Sequence, residues 1–381
     1  MPPKATYKKG PYPGSDVNRP ASPVTKSESL RATDIEKAAT SASLYGDHKA
    51  RVSSNVHVLH DRLRQQAYTG AITAAMRGGK NILHLGCGMG LLSMVAARLI
   101  GGGAAAATAT GAPTGQIVAV DTSAIVTHAA EVAKVNKLSN LRFIRGSFVK
   151  KEVDLPDEFK ATKFDVILCE WPSAFVTNDT ALLKELLYCR EHLLKPDGVI
   201  CPNQASLHVG GVSDYAYRHD TMAYWDNVYG FKMSAMKELV AKEPTAGSLG
   251  PDLVATNTTV LKTVKIADMK SADDFTFEGD FTVTANAKAT LHFLTFFVDA
   301  TFLHPVEPGA NFVLPFAPGA SNPWTEVSAQ LPEPLPLNIG DAVKGHVKVS
   351  PRGDVTDLTI DVEVKNALIE HKSRSQHHFQ Y

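Results

Sequence analysis

Asn81-Ile-Leu-His-Leu-Gly-Cys-Gly-Met-Gly-Leu-Leu-Ser93 decides the fold. The apolar run Ile82 to Leu85 has the length of a buried strand, and it breaks into glycines at alternate positions, Gly86, Gly88 and Gly90. Glycine permits a tight turn and a close approach of backbone to a ligand. An apolar helical pattern follows from Leu91 to Ile100. A second strand, Gln116 to Val120, ends on Asp121, and a helix carries Ile125, Ala129, Val132 and Val135 on one face. A third strand covers Leu141 to Arg145, and a fourth, Phe164 to Cys169, ends on Glu170. Strands alternating with helices predict a parallel sheet covered on both faces. Ligands of such sheets bind at the carboxyl ends of the strands. A carboxylate about 20 residues beyond the first glycine is placed to accept hydrogen bonds from ribose hydroxyls. Here 35 residues separate Gly86 from Asp121, and the Gly/Ala/Thr tract Gly101 to Gly115 accounts for the excess as a surface insertion. The sequence lacks the glycine spacing that holds a pyrophosphate, which favours an adenosine-bearing ligand over a dinucleotide.

Outward from this centre, Ser54 to Met76 has helical spacing, with Val58, Leu59, Leu63, Ala67 and Ile72 on one face. Residues 1–44 hold seven basic and four acidic side chains among Pro and Ser, without apolar periodicity, and read as a disordered arm. Beyond Pro202 the texture changes to alternating strands, among them Phe275 to Ala285, Ala289 to Phe297 and Val343 to Val349. These predict an antiparallel, sandwich- or barrel-like region, with a helical, aromatic-bearing insert at about 213–240. The expected organisation is an arm (1–44), an α/β domain (45–202) and a β domain (203–381).

The whole chain, 381 residues with 44% hydrophobic side chains, has ample apolar content for two cores. Its 39 basic and 39 acidic residues balance, so no electrostatic footprint for nucleic acid or acidic lipid stands out. Cys87, Cys169, Cys189 and Cys201 show neither CxxC pairing nor metal-ligand spacing and read as reduced, buried thiols, with no metal site expected. The N-terminal residues carry no apolar signal core, and no stretch is apolar enough for a membrane helix. The expected location is the cytoplasm or the nucleus.

Four segments resemble protein arginine methyltransferases. Ile82 to Ser93 is similar to their motif I, and Cys169 to Asp179 to their double-glutamate loop. Leu194 to Pro202 resembles the exit from their cofactor domain, and Trp225 to Ser234 the stretch beyond their dimerisation arm. The resemblance implies a Rossmann-like S-adenosylmethionine-binding domain, then an antiparallel β-barrel-like domain with a helical dimerisation arm that makes head-to-tail dimers. It implies Arg64, Gly86, Gly88, Gly90, Asp121 and Glu152 as cofactor contacts. It also implies Glu170, Asp179 and Trp324 as the catalytic set. In active members two carboxylates clamp a guanidinium and align it for methyl transfer.

The chain departs from that pattern at the chemistry. Asp179 stands where the second glutamate is expected, its carboxylate retracted by roughly 1.5 Å, and a displacement of that order costs about 100-fold in rate. Asn322-Pro323-Trp324 replaces a Thr-His-Trp loop, and proline carries no proton. Tyr45 matches one N-terminal aromatic, but Gly46 and Lys49 fall where others are expected. His84 replaces the acidic residue of motif I, and Asp121 is shorter than the ribose-binding glutamate. The expectation is an impaired paralogue, a prozyme that assembles with an active arginine methyltransferase and reaches arginine-rich protein substrates through it. The alternatives are an active arginine methyltransferase with an altered site, and a protein- or RNA-binding adaptor on the same fold.

Overall fold

The computed structural model describes residues 47–75, 80–102, 115–160, 163–172, 180–247, 249–303, 311–314, 326–352 and 355–380. All elements below lie in the unit Lys49–Tyr381.

The predicted helix Ser54 to Met76 is two helices, α1 (Val52–His60) and α2 (Arg62–Ala75). Asp61 breaks it. Its backbone is extended, and its Oδ1 accepts the Arg64 N–H at 2.9 Å as an N-cap for α2. The break also turns the buried face. Leu63, expected inside, is exposed; Ile72 is buried as expected, and Arg64, Tyr68, Ala71 and Ala75 point inward with it.

β1 (Ile82–Leu85) leads into α3 (Leu91–Ala97), which ends in a π-type turn at Arg98 rather than continuing to Ile100. β2 (Ile117–Asp121), α4 (Ile125–Val135), β3 (Leu141–Arg145) and β4 (Phe164–Cys169) follow the expected ranges closely. α5 (Thr180–His192) and β5 (Leu194–Cys201) complete the first half. The sheet is parallel throughout, in the order β3-β2-β1-β4-β5. Every residue of β1 and β2 is buried, as covering of both faces requires. The register sets Leu85 against both Val120 and Cys169. The next residue on each strand, Gly86, Asp121 and Glu170, therefore falls in one row at the carboxyl end.

The second half begins with β6 (Gln204–Val212), followed by α6 (Tyr215–Ala223), α7 (Met236–Lys242), β7 (Thr245–Gly247) and β8 (Val254–Lys265). β9 (Phe277–Thr284), β10 (Ala289–Phe302), β11 (Phe312–Leu314) and β12 (Glu326–Leu337) come next. The chain closes with β13 (Ala342–Arg352), β14 (Val355–Lys365) and β15 (Glu370–Gln380). Phe275, expected in a strand, instead ends a 3-10 turn capped by Ser271.

The second half is antiparallel, as expected, and of the two forms expected it is the open, two-sheet one. Among the described residues the strands form two antiparallel sheets, β7-β12-β10-β6-β8 with β11 on β10, and β15-β14-β13-β9. A single bridge, Thr256 to Ala285, links them, so no closed ladder runs around the core. Phe296, Leu291, Val283, Val343, Val347 and Ile360, drawn from both sheets, are buried in one shared core. The expected helical insert is present as α6 and α7, and neither helix has a buried residue. No helix among the described residues is long and apolar enough to cross a membrane.

Candidate functional site

The three loop glycines all adopt positive φ, +66° at Gly86, +53° at Gly88 and +75° at Gly90. Their surroundings differ. A Cβ on Gly86 would press on Leu182, and one on Gly90 would collide with the Phe143 ring. Both are small because protein packs against them. Gly88 meets only Asn55 Oδ1, at 3.5 Å, so it is the position where the loop backbone stays open to a ligand.

Asp121 is drawn into this loop. Its Oδ2 accepts the Gly88 N–H at 2.7 Å and its Oδ1 accepts the Ser123 N–H at 2.8 Å. Those two bonds fix the carboxylate at the end of β2, beside the open backbone of Gly88. Cys87 lies between, and burial first, then the Asp121 charge, pushes its thiol pKa up. Cys201 is likewise pushed up to about 12 by burial. All four cysteines are buried thiols outside any disulfide, in agreement with the sequence reading.

Arg64 and Glu170 form the buried end of the site. Arg64 Nε and Nη2 donate to Glu170 Oε1 and Oε2 in a fork-to-fork pair. The arginine side chain is 4% exposed and the glutamate 15%. Burial works against the Arg64 charge, but attraction and hydrogen bonding to Glu170 outweigh it and hold its pKa above the usual guanidinium value. The guanidinium also lies 5.5 Å from the centre of the buried Tyr68 ring. Behind it His84, 1% exposed, meets Ser93 Oγ at 2.6 Å through Nδ1, while Nε2 has no hydrogen-bond partner. Burial and then the Arg64 charge lower the His84 pKa to about 3, so the imidazole is neutral where a family acid would be negative.

Glu152 is exposed on the loop after β3, where its backbone N–H donates to Ser147 O at 2.9 Å and its Cβ faces Gly146. The segment before it is anchored by a residue that sequence reading did not single out. Glu185 of α5 accepts the Phe148 N–H at 2.8 Å, the Ser147 hydroxyl and the Val149 N–H. No local pattern could reveal it, because its partners lie 36 to 38 residues away. Asp61 was findable, as an aspartate three residues before the start of the inward face. Asp179 and Trp324 lie outside the described residues.

A parallel α/β half with an open glycine, a strand-end carboxylate and a buried guanidinium at one end of its sheet has the geometry of a nucleoside-binding domain, here joined to an antiparallel module. The comparisons are specific. A methyltransferase domain matches residues 77–250, and the arginine methyltransferase oligomerization subdomain matches 203–367. A solved chain of the Trypanosoma brucei PRMT1 enzyme-prozyme heterotetrameric complex with AdoHcy superposes with a TM-score of 0.76. The two are 41% identical over 87% of this chain and 99% of that one. Protein arginine N-methyltransferase 1 of Chlamydomonas reinhardtii is 29% identical, over 85% of this chain and 88% of its own length. The Saccharomyces cerevisiae protein of the same name is 29% identical over 88% and 91%. The chain belongs to the protein arginine methyltransferase family.

The family and the methyltransferase-domain match imply S-adenosylmethionine as the cofactor of this cleft. The residues fit it. Gly88 leaves backbone open, Asp121 is fixed beside it at the end of β2, and the pair with Glu170 uses two of the five N–H donors of Arg64.

Proposed function

We propose that this protein is a regulatory, prozyme-type subunit that binds an active arginine methyltransferase and supports its activity, while its own catalytic site is strongly impaired. The observation that carries this reading is the state of Glu170. A substrate clamp needs two carboxylates with charge to offer a guanidinium. Glu170 already shares its charge with a buried guanidinium of its own chain, Arg64. Its loop partner is the shorter Asp179, and Pro323 stands where a histidine is expected. The similarity to a chain of an enzyme-prozyme heterotetramer supports the same reading.

The cofactor groups are assigned by their chemistry. Asp121 would hold the ribose hydroxyls, the backbone at Gly86, Gly88 and Gly90 would follow the nucleoside, and Arg64 would face the methionine carboxylate. Glu152 would stand at the adenine end. S-adenosylmethionine, when bound, supplies an electrophilic methyl group. The chain's own residues then bind and orient, and the second carboxylate would come from Asp179, one methylene shorter than the glutamate expected there. Support of a partner would run through the exposed aromatic arm of α6 and α7. Ordering a partner's site raises its competent fraction and its apparent affinity by the same factor. A head-to-tail contact of this kind can close into a dimer or a larger ring.

The test is methyl transfer by the assembled complex. Tagged Glu170→Gln and unmutated chains are isolated from their own cells with their bound partners and assayed with labelled S-adenosylmethionine on an arginine-rich peptide. Persisting activity with a second methyltransferase chain present is the expected result. Loss of activity from an intact complex would make Glu170 catalytic and the altered-site enzyme the correct reading. Salt-dependent binding of single-stranded RNA, with no methyltransferase chain recovered, would favour the adaptor.

A further inference from the structure

The arm leaves the sheet beside an unusual break in the β10–β12 ladder. Leu291 pairs with Leu335, and Phe293 with Gln330. One residue, His292, therefore faces four, Leu331, Pro332, Glu333 and Pro334. A bulge of this size removes ladder partners from the carbonyls within it. Arg218 of α6 supplies donors there. Its Nη1 donates to Leu331 O at 2.7 Å and reaches His292 O at 3.5 Å, and its Nη2 donates to Pro332 O at 3.1 Å.

The same helix meets the bulge with its rings. Tyr215 lies against His292 and Tyr217 against Phe293. Asp214 caps the helix by accepting the Tyr217 N–H at 2.9 Å. Farther out, Lys237 of α7 pairs with Asp226, so the two halves of the arm are braced to each other. Between the two helices the tip of the arm stands away from the core. Tyr229 is 95% exposed and Phe231 72%. The tip of the arm is apolar and exposed; its α6 base is held on the bulge by the Arg218 guanidinium and the two ring contacts, and α7 returns the chain to the sheet at β12 and β15. Half-buried, with no carboxylate paired to it among the described residues, that guanidinium spends its donors on carbonyls of both bulge strands.

We infer that Arg218 is the positioning residue of the arm: by tying α6 to the bulge it sets the pose in which the exposed aromatic edge meets a partner chain. The inference rests on the reading of the protein as a supporting subunit. Methionine at 218 would keep the aliphatic stem and lose all three donations. Lysine would keep the charge but offer donors from a single nitrogen, so it would lose the fork that adds the Nη2 bond to Pro332 O.

The experiment uses the tagged full chain as wild type, Arg218→Met, Arg218→Lys and Tyr229→Ser. Three quantities are measured: thermal unfolding, amide hydrogen exchange of residues 215–242, and recovery from cells of a second methyltransferase chain. For Arg218→Met the expected result is unfolding within a few degrees of wild type, arm exchange about tenfold faster, and recovery reduced about tenfold. Arg218→Lys should fall between, a graded rescue that general loss of folding would not give. Tyr229→Ser should reduce recovery while leaving exchange at the arm's base unchanged. Unchanged arm exchange in Arg218→Met would overturn the inference, and so would faster exchange with full recovery. If wild type recovers no methyltransferase chain while Arg218→Met still exchanges faster, the tie to the bulge stands and the supporting-subunit reading falls.

Discussion

At the scale of single residues the site is governed by buried charge. Arg64 and Glu170 are stable only as a pair, since removing one partner leaves the other desolvated and uncompensated. Arg64→Met is expected to destabilise the chain by about 3–5 kcal/mol. Adding Glu170→Gln should recover part of that loss, a coupling that urea unfolding of the single and double variants measures. His84 contributes in the opposite sense, through a proton it does not take up. Its pKa is lowered to about 3 in the folded chain, whereas an unfolded histidine titrates near 6.5. Between those values the unfolded state binds the proton and the folded state does not, so stability is lost as pH falls below about 6.5. At pH 5 that loss amounts to about 2 kcal/mol. His84→Gln should flatten the stability profile between pH 7 and 5 by that amount, read from chemical denaturation at each pH.

At the scale of elements the glycine loop separates packing from binding. Gly90 carries both a positive φ and the Phe143 ring, so Gly90→Ala combines backbone strain with a steric clash. The expected cost is about 2–4 kcal/mol. Gly88 carries the strain alone, and Gly88→Ala should cost about 1–2 kcal/mol. Its methyl would project into the open side of the loop. The stabilisation by S-adenosylhomocysteine, about 2.7 kcal/mol at 100 times the dissociation constant, should therefore shrink in Gly88→Ala. A thermal-shift titration of the two variants beside wild type checks both expectations. The α1–α2 break belongs to this scale too. Apolar spacing predicted one helix with Leu63 inside, because periodicity does not register a capping aspartate that ends one helix and starts another. The Asp61 cap turned the face by one residue and brought in Arg64.

At the scale of the molecule, polar contacts tie the α/β half to the β half near their junction. Trp171 Nε1 donates to Pro202 O at 2.8 Å next to the junction. Arg190 of α5 donates to the carbonyls of Ile266 and Met269, the latter at 2.7 Å, in the turn after β8. A charged donor bound to carbonyls contributes about 1.5–3 kcal/mol per bond. Arg190→Met is expected to lower stability by about 2–4 kcal/mol. It should also broaden the urea transition as the halves begin to unfold separately, seen as a fall in the apparent m-value.

The sequence by itself determined the parallel half almost strand by strand. Buried runs bounded by glycine and ending on Asp121 and Glu170 carry their own start and stop signals, and residue spacing alone brings Gly86, Asp121 and Glu170 to one end. The similarity of its motifs to arginine methyltransferases and the four buried thiols were legible for the same reason, since each is written in contiguous residues. Only the tertiary structure decided what these groups do to one another. Arg64 and Glu170 are 106 residues apart, Glu185 and its loop 36 to 38, and Arg218 and its carbonyls 74 to 114. Those pairings depend on which face of a helix turns inward and on where a ladder breaks. The division of the β half into two sheets follows the same logic, because closure depends on long-range pairing that alternation along a strand does not encode.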